Sequence, residues 1–106
     1  MELKELTDFI EWELERLDNL YGPEKTEKEK ILAICVKLME ESGELMTEVL
    51  TKEGYQRKHK TTDMDKISKE FADVIFVAFL AAKRLGVDIE KAIKDKMKII
   101  SERIYQ

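Results

Sequence analysis

Residues that interrupt helices are scarce in this sequence, and that scarcity constrains the fold more than any other feature. The 106 residues include one proline and four glycines. A β-sheet protein needs frequent turns and therefore more of these residues, whereas long helices need few. Because apolar residues also recur at helical spacing, we predict an all-α fold. The length fits a single domain, residues 1–106, with a modest core.

Interruptions of the helical pattern divide the chain into four predicted helices. Their predicted bounds are Glu2–Leu20, Glu24–Lys52, Thr62 or Asp63 to Leu85, and the Asp88 cap to Ile104. The inward stripe of the fourth helix is predicted to contain Ile89, Ile93, Met97, Ile100 and Ile104.

The third helix is predicted to be covered on more than one side, because residues 74–82 are apolar all round. Its Phe71, Ile75 and Ala78 form one stripe, and Asp73 lies on the opposite face with Val77. One chain of this length supplies little cover for both faces. We therefore expect a homodimer or homotetramer that assembles through its helices and buries the charge of Asp73.

Composition and charge exclude several classes of protein. The formal net charge of −4 disfavours a general nucleic-acid binder, which would normally be basic. The longest uncharged run, residues 74–82, is far short of the roughly 20 residues that a membrane span needs. Nothing resembles a signal peptide, and the lone Cys35 cannot form an internal disulfide. We therefore expect a cytoplasmic protein.

Two pairs of carboxylates at i, i+3 spacing stand in apolar surroundings. These are Glu41 with Glu44 on the second helix and Glu70 with Asp73 on the third. Each pair shares a helix face. Burying such charges without a counter-charge costs on the order of several kcal/mol. Spacing alone leaves a metal site and a surface acid patch equally open. If a metal binds, an all-oxygen ligand set favours Mg²⁺ or Mn²⁺, often with phosphates of a substrate.

The sequence Glu40-Glu41-Ser42-Gly43-Glu44-Leu45, followed by Glu70-Phe71-Ala72-Asp73-Val74, resembles the signature of the MazG-like all-α nucleoside triphosphate pyrophosphohydrolases. The turn at 85–92 and the last helix also resemble the family, so the similarity covers about 31–105. The resemblance implies a four-helix unit that dimerises or tetramerises. It also implies Mg²⁺-dependent hydrolysis of a nucleoside triphosphate to the monophosphate and pyrophosphate.

Site residues follow from the resemblance by position. The implied metal ligands are Glu41, Glu44, Glu70 and Asp73, and Glu40 is a candidate for orienting or deprotonating the attacking water. Lys96 is expected to approach the phosphates, with Lys37 and Arg103 as further substrate-binding cations. Lys96 and Arg103, seven residues apart, are predicted to share a helix face.

Two positions depart from the family pattern. Many members have an asparagine where this chain has Ile100, and some have a tyrosine where it has Val77. Both changes remove polar groups from the expected nucleotide pocket, so the identity of the base and sugar stays open. Ile100 also fits the apolar stripe of the fourth helix, which leaves pocket and core as alternatives for it.

Other functions remain possible from the sequence. Within the superfamily, phosphoribosyl-ATP pyrophosphohydrolase is an alternative, although its additional acidic and histidine signals are missing. A non-catalytic helical oligomer or a partner-binding module with a structural metal site is another. The basic segment from Lys52 to Lys60 is predicted to be a solvated loop, with a flap over an anionic substrate as its alternative.

Overall fold

The computed structural model describes residues 1–55 and 60–105, and the regular secondary structure within these ranges is α-helical. The helices are α1 (Leu3–Tyr21), α2 (Glu27–Lys52), α3 (Met64–Arg84) and α4 (Ile89–Ser101). The prediction of an all-α, four-helix fold is therefore confirmed. No helix in the described ranges is long and apolar enough to cross a membrane.

Aspartate caps start the last two helices where the sequence predicts them. The Asp63 carboxylate accepts a hydrogen bond from the Lys66 amide at 2.9 Å, and Asp88 accepts one from the Lys91 amide at 3.1 Å. Each bond satisfies an amide that has no partner within the first helical turn. These caps fix where α3 and α4 begin.

The second helix starts at Glu27, three residues later than predicted. Thr26 forms a capping box with Glu29: the Thr26 hydroxyl accepts from the Glu29 amide, and the Glu29 carboxylate accepts from the Thr26 amide, both at 3.1 Å. The reciprocal pair defines the helix start more sharply than apolar periodicity does. The prediction of Glu24 as the first residue was wrong for this reason.

The fourth helix ends at Ser101 rather than at Ile104. The Arg103 amide donates to the Ile100 carbonyl at 3.1 Å, which closes a tighter turn after the helix. No side chain of α4 is buried, so tertiary packing does not hold further helical turns in place. Lys96 therefore lies on the helix and Arg103 two residues beyond its end, so helical spacing does not put them on one face of α4.

The inward stripe predicted for α4 is only partly correct. Ile89 and Ile93 are half-buried. Met97, Ile100 and Ile104 are instead exposed in the single chain, to 64%, 46% and 88%. Only the first half of α4 lies against the rest of the chain.

The centre of the fold is the antiparallel pair α2–α3, and α1 packs against α3. The buried side chains come from these three helices: Ile10, Ile34, Glu41, Ile67 and Val77. The face of α3 that contains Val77 is thus the core of the chain. Phe71 and Ile75, on the other face, are 50% and 48% exposed. Asp73 is exposed in the single chain, and its burial in an oligomer interface stays a prediction.

Candidate metal centre

Three carboxylates from two helices meet on the α2–α3 pair. Glu41 and Glu44 lie one turn apart on α2, and Glu70 faces them from α3. One oxygen from each carboxylate lies within 4.8 Å of the other two. We call these three residues the acidic cluster. Tertiary packing thus joins two motifs that are separated by 25 intervening residues in the sequence.

Burial distinguishes this cluster from an ordinary acidic surface. The Glu41 residue is 7% exposed, and its Oε2 atom is buried without a hydrogen-bond partner. Oε2 of Glu70 is also buried without a partner. A buried polar atom normally has a partner, because leaving it unpaired costs about 1–3 kcal/mol. Two such oxygens in one cluster could accept hydrogen bonds from water or coordinate a cation.

Mutual repulsion among the acids raises the pKa of two of them, Glu44 and Glu70. The charge of Glu41 raises the pKa of Glu44, with partial desolvation and the charge of Glu70 adding to the effect. Partial desolvation raises the pKa of Glu70, and the charges of Asp73 and Glu41 raise it further. Ionising either carboxylate in the folded chain therefore costs free energy, and a bound cation would offset that cost.

The fourth predicted ligand, Asp73, lies outside this group of three. Its side chain is exposed on α3, and its charge contributes to the raised pKa of Glu70. Asp73 is one helical turn from Glu70 and so borders the cluster without entering it.

Glu48 is an acid near the cluster that the site prediction omitted. It lies on α2, seven residues after Glu41, and its charge also raises the pKa of Glu70. The Thr62 hydroxyl donates a short hydrogen bond to the Glu48 carboxylate. This contact ties the segment before α3 to α2. The seven-residue spacing was the signal that could have identified Glu48.

Among the described residues, Lys37 is the cation that contacts the cluster. Its Nζ atom lies 3.2 Å from Oε1 of Glu41 and 3.5 Å from Oε1 of Glu40. The hydrogen bond to Glu41 and the charge of Glu40 raise the pKa of the Lys37 ammonium. Glu40 itself is half-exposed, with 54% of its side chain open to solvent. This position leaves the Glu40 carboxylate accessible to water.

A groove of about 290 Å³ begins at Lys37 and lies among α1, α2 and α3. Its apolar lining comes from Leu17, Ala33, Ile34, Val77 and Leu80, and its polar lining from Glu13, Tyr21 and Lys37. Since Lys37 also contacts Glu41, the groove and the acidic cluster are adjacent. The volume is near the lower end of the range for small-molecule sites, about 300–1,000 Å³. Val77 belongs to this lining.

The remaining predicted substrate-binding cations lie elsewhere in the single chain. Lys96 is exposed on α4, and Arg103 is exposed beyond the end of that helix. Among the described residues, no ion pair or hydrogen bond joins either of them to the acidic cluster. In the basic segment from Lys52 to Lys60, Arg57, Lys58 and His59 lie outside the described residues.

The chemistry of the cluster fits a hard divalent cation. All the donors are carboxylate oxygens, which suit Mg²⁺ or Mn²⁺. Ligand oxygens around Mg²⁺ lie no more than about 4.2 Å apart, because each is about 2.1 Å from the ion. The three oxygens, which lie within 4.8 Å of one another, would therefore have to move closer together around the ion. Glu41 and Glu70 each also have one buried oxygen without a partner among the described residues.

A helical fold that joins acids from an E-x-x-E and an E-x-x-D sequence defines a class of all-α, acid-rich proteins. Residues 29–104 match the MazG nucleotide pyrophosphohydrolase domain, and the chain belongs to this family. It is also similar to the uncharacterized protein YpjD of Bacillus subtilis (strain 168), with 38% identity over 61 residues. The matched region covers 58% of this chain and 55% of YpjD. No solved structure matches the chain.

Proposed function

We propose that this protein is a Mg²⁺-dependent nucleoside triphosphate pyrophosphohydrolase that acts in cleaning the nucleotide pool. The observation that carries the proposal is the acidic cluster, with its two buried oxygens that have no partner among the described residues. Membership of the nucleotide pyrophosphohydrolase family supports the class of reaction. The products would be a nucleoside monophosphate and pyrophosphate.

In this proposal Glu41, Glu44 and Glu70 hold the cation, and Asp73 completes the set after a side-chain rotation. A divalent cation in such a site supplies charge neutralisation for phosphate oxygens and lowers the pKa of a coordinated water. Mn²⁺ is expected to substitute, since it accepts the same oxygen ligands. The groove beside Lys37 would receive the nucleoside part of the substrate.

Glu40 is the proposed base for the attacking water. It is half-exposed, and it lies beside Lys37 at the border of the cluster. A water oxygen would form the new bond to phosphorus while the bond between the α- and β-phosphates breaks. The proton from that water would pass to Glu40, and pyrophosphate would leave with the bridging oxygen.

Assembly into a dimer or tetramer is part of the proposal. The radius of gyration is 16.9 Å, compared with about 13 Å for a globular domain of this length. Phe71 and Ile75 of α3 are half-exposed in the single chain. A group of exposed apolar side chains of this kind is typical of an interaction surface. A second copy would cover it and bring Lys96 and Arg103 near a cluster.

The function is tested by incubating the protein with a panel of nucleoside triphosphates in Mg²⁺ or in EDTA. We expect monophosphate and pyrophosphate, identified by ³¹P NMR, only with Mg²⁺. Glu41→Gln should reduce turnover on the order of 100-fold or more, because it removes a charge that acts directly at the reaction site. Glu90→Gln on α4 is a matched control outside the cluster and should retain activity. Release of orthophosphate, or equal turnover in EDTA, would reject the proposal.

A structural metal site is the second candidate function. The like charges of the cluster favour cation binding whether or not catalysis follows. In that case Mg²⁺ would raise the melting temperature, while no nucleotide in the panel would be hydrolysed.

A further inference from the structure

Lys37 occupies two environments at once. Its ammonium contacts Glu41 in the acidic cluster, at 3.2 Å, and its side chain lines the neighbouring groove. The side chain is 51% exposed, whereas that of Glu41 is 9% exposed. The carboxylate is thus fixed by burial, and the lysine is the partner that can move.

The ion pair compensates the cluster only in part. Three carboxylates meet there, and Lys37 is the described cation that pairs with one of them. It contacts Oε1 of Glu41 and leaves Oε2 buried without a partner. Lysine is a single mobile point charge on a flexible stem, so it can release a carboxylate without disturbing the helix.

We propose that Lys37 is the resident counter-ion of the acidic cluster, and that it gives up Glu41 to a divalent cation and turns to the phosphates of a nucleotide in the groove. This inference rests on the proposed function for its second step. Two cations at the same carboxylate repel each other, so the divalent cation displaces the ammonium. A polyphosphate beside the groove offers that ammonium a new anionic partner.

The exchange predicts that Lys37 weakens metal binding in the absence of nucleotide. Lys37→Met removes the competing charge, and we expect Mn²⁺ to bind about fivefold more tightly, because solvent screens part of the repulsion. Free Mn²⁺ is measured by electron paramagnetic resonance during a titration of the metal-free protein. Lys37→Gln is a second neutral variant if the methionine variant fails to fold.

Lys28→Met is the matched control, since Lys28 is exposed on the same helix and its loss changes the net charge equally. It should leave the Mn²⁺ affinity unchanged. Lys37→Arg keeps the charge and should bind Mn²⁺ as the wild type does. Unchanged affinity in both neutral Lys37 variants, or an equal increase in Lys28→Met, would overturn the exchange.

The second step is measured by kinetics at saturating Mg²⁺. Lys37→Met should raise KM for the nucleotide about tenfold while the Mn²⁺ affinity of the free protein increases. A purely structural role would not move these two quantities in opposite directions. An unchanged KM would overturn the phosphate contact. If the wild type hydrolyses no nucleotide, the proposed function fails, yet the Mn²⁺ titration still decides the exchange.

Discussion

Arg84, in the last turn of α3, donates a hydrogen bond to Asp18 of α1 at 2.8 Å, across 66 residues of sequence. The Arg84 side chain is 4% exposed, and it also contacts Glu27 at the start of α2 at 3.3 Å. Lys30 approaches the same Asp18 carboxylate at 3.2 Å. This network joins the end of α1, the start of α2 and the end of α3.

Loss of the buried arginine should destabilise the fold. Arg84→Met removes hydrogen bonds to Asp18 and Glu27, and we expect the free energy of unfolding to fall by about 1–3 kcal/mol. Urea unfolding at pH 7 measures the change. The matched control is Lys91→Met, which breaks an ion pair of 2.6 Å to Asp95 with both side chains more than half exposed. That control should change stability by less than about 1 kcal/mol. Equal losses of unfolding free energy in both variants would contradict the expectation that the buried Arg84 contributes more than an exposed ion pair.

The same network should contribute to stability against acid. The hydrogen bond from Arg84 lowers the pKa of Asp18, and Lys30 adds to the effect. Because the folded state lowers this pKa, the contribution is present above the unfolded value of about 3.9 and is lost as pH falls through the folded value. Asp18→Asn should therefore be less stable than the wild type at pH 7, and the difference should shrink below about pH 4. Urea unfolding from pH 7 to 3 tests this, and a constant difference would count against it.

Neutralising Glu44 should have opposite effects with and without metal. The raised pKa of Glu44 means that its ionised form destabilises the folded state above the unfolded pKa, and protonation relieves this as pH falls through the folded pKa. Glu44→Gln should therefore melt higher than the wild type in EDTA at pH 7. In Mg²⁺ it should lose both turnover and the metal-induced rise in melting temperature. Wild-type behaviour in Mg²⁺ would remove Glu44 from the ligand set.

Asp73→Asn addresses the ligand that lies outside the cluster. If Asp73 completes the metal site, this variant should lose Mg²⁺-dependent turnover while its helical circular dichroism is retained. Titration with Mn²⁺ should then give weaker binding than in the wild type. Full turnover and unchanged affinity would leave Asp73 as a neighbouring surface acid.

The position of Ile100 can be tested by restoring an asparagine. Ile100 is 46% exposed in the single chain, so Ile100→Asn should cost less than about 1 kcal/mol of stability if no partner covers it. An asparagine adds a donor and an acceptor, so we expect the ranking among nucleotides to change. A large loss of melting temperature with unchanged ranking would instead place Ile100 in an interface core.

The helix count and most helix boundaries could be predicted from the sequence. The capping residues explain why. Asp63 and Asp88 act locally, so their positions predict the starts of α3 and α4. Thr26 and Glu29 form an equally local signal that apolar periodicity alone overlooked. The rotation of α3 is different, because it depends on packing against α2. Periodicity puts Glu70 and Asp73 near each other but does not decide which one faces Glu41.

Contacts between residues distant in the chain could not be predicted from the sequence either, because they also depend on how the helices pack. Arg84, Asp18 and Lys30 are unremarkable charges in a chain that is 40% charged. Only the tertiary arrangement buries the arginine and selects its partners. The groove beside Lys37 likewise depends on how α1 lies across α2 and α3. The carboxylate motifs, by contrast, could be recognised in the sequence, because helical spacing alone puts Glu41 and Glu44 on one face.

The acidic cluster has its carboxylates on both arms of one helical hairpin, and this has a consequence for the folding pathway. Closing the arms forces Glu70 against Glu41 and Glu44, so the chain must overcome repulsion at the moment the hairpin forms. A divalent cation can therefore report when that closure occurs. If the arms meet before the rate-limiting barrier, Mg²⁺ accelerates refolding; if they meet afterwards, it slows only unfolding.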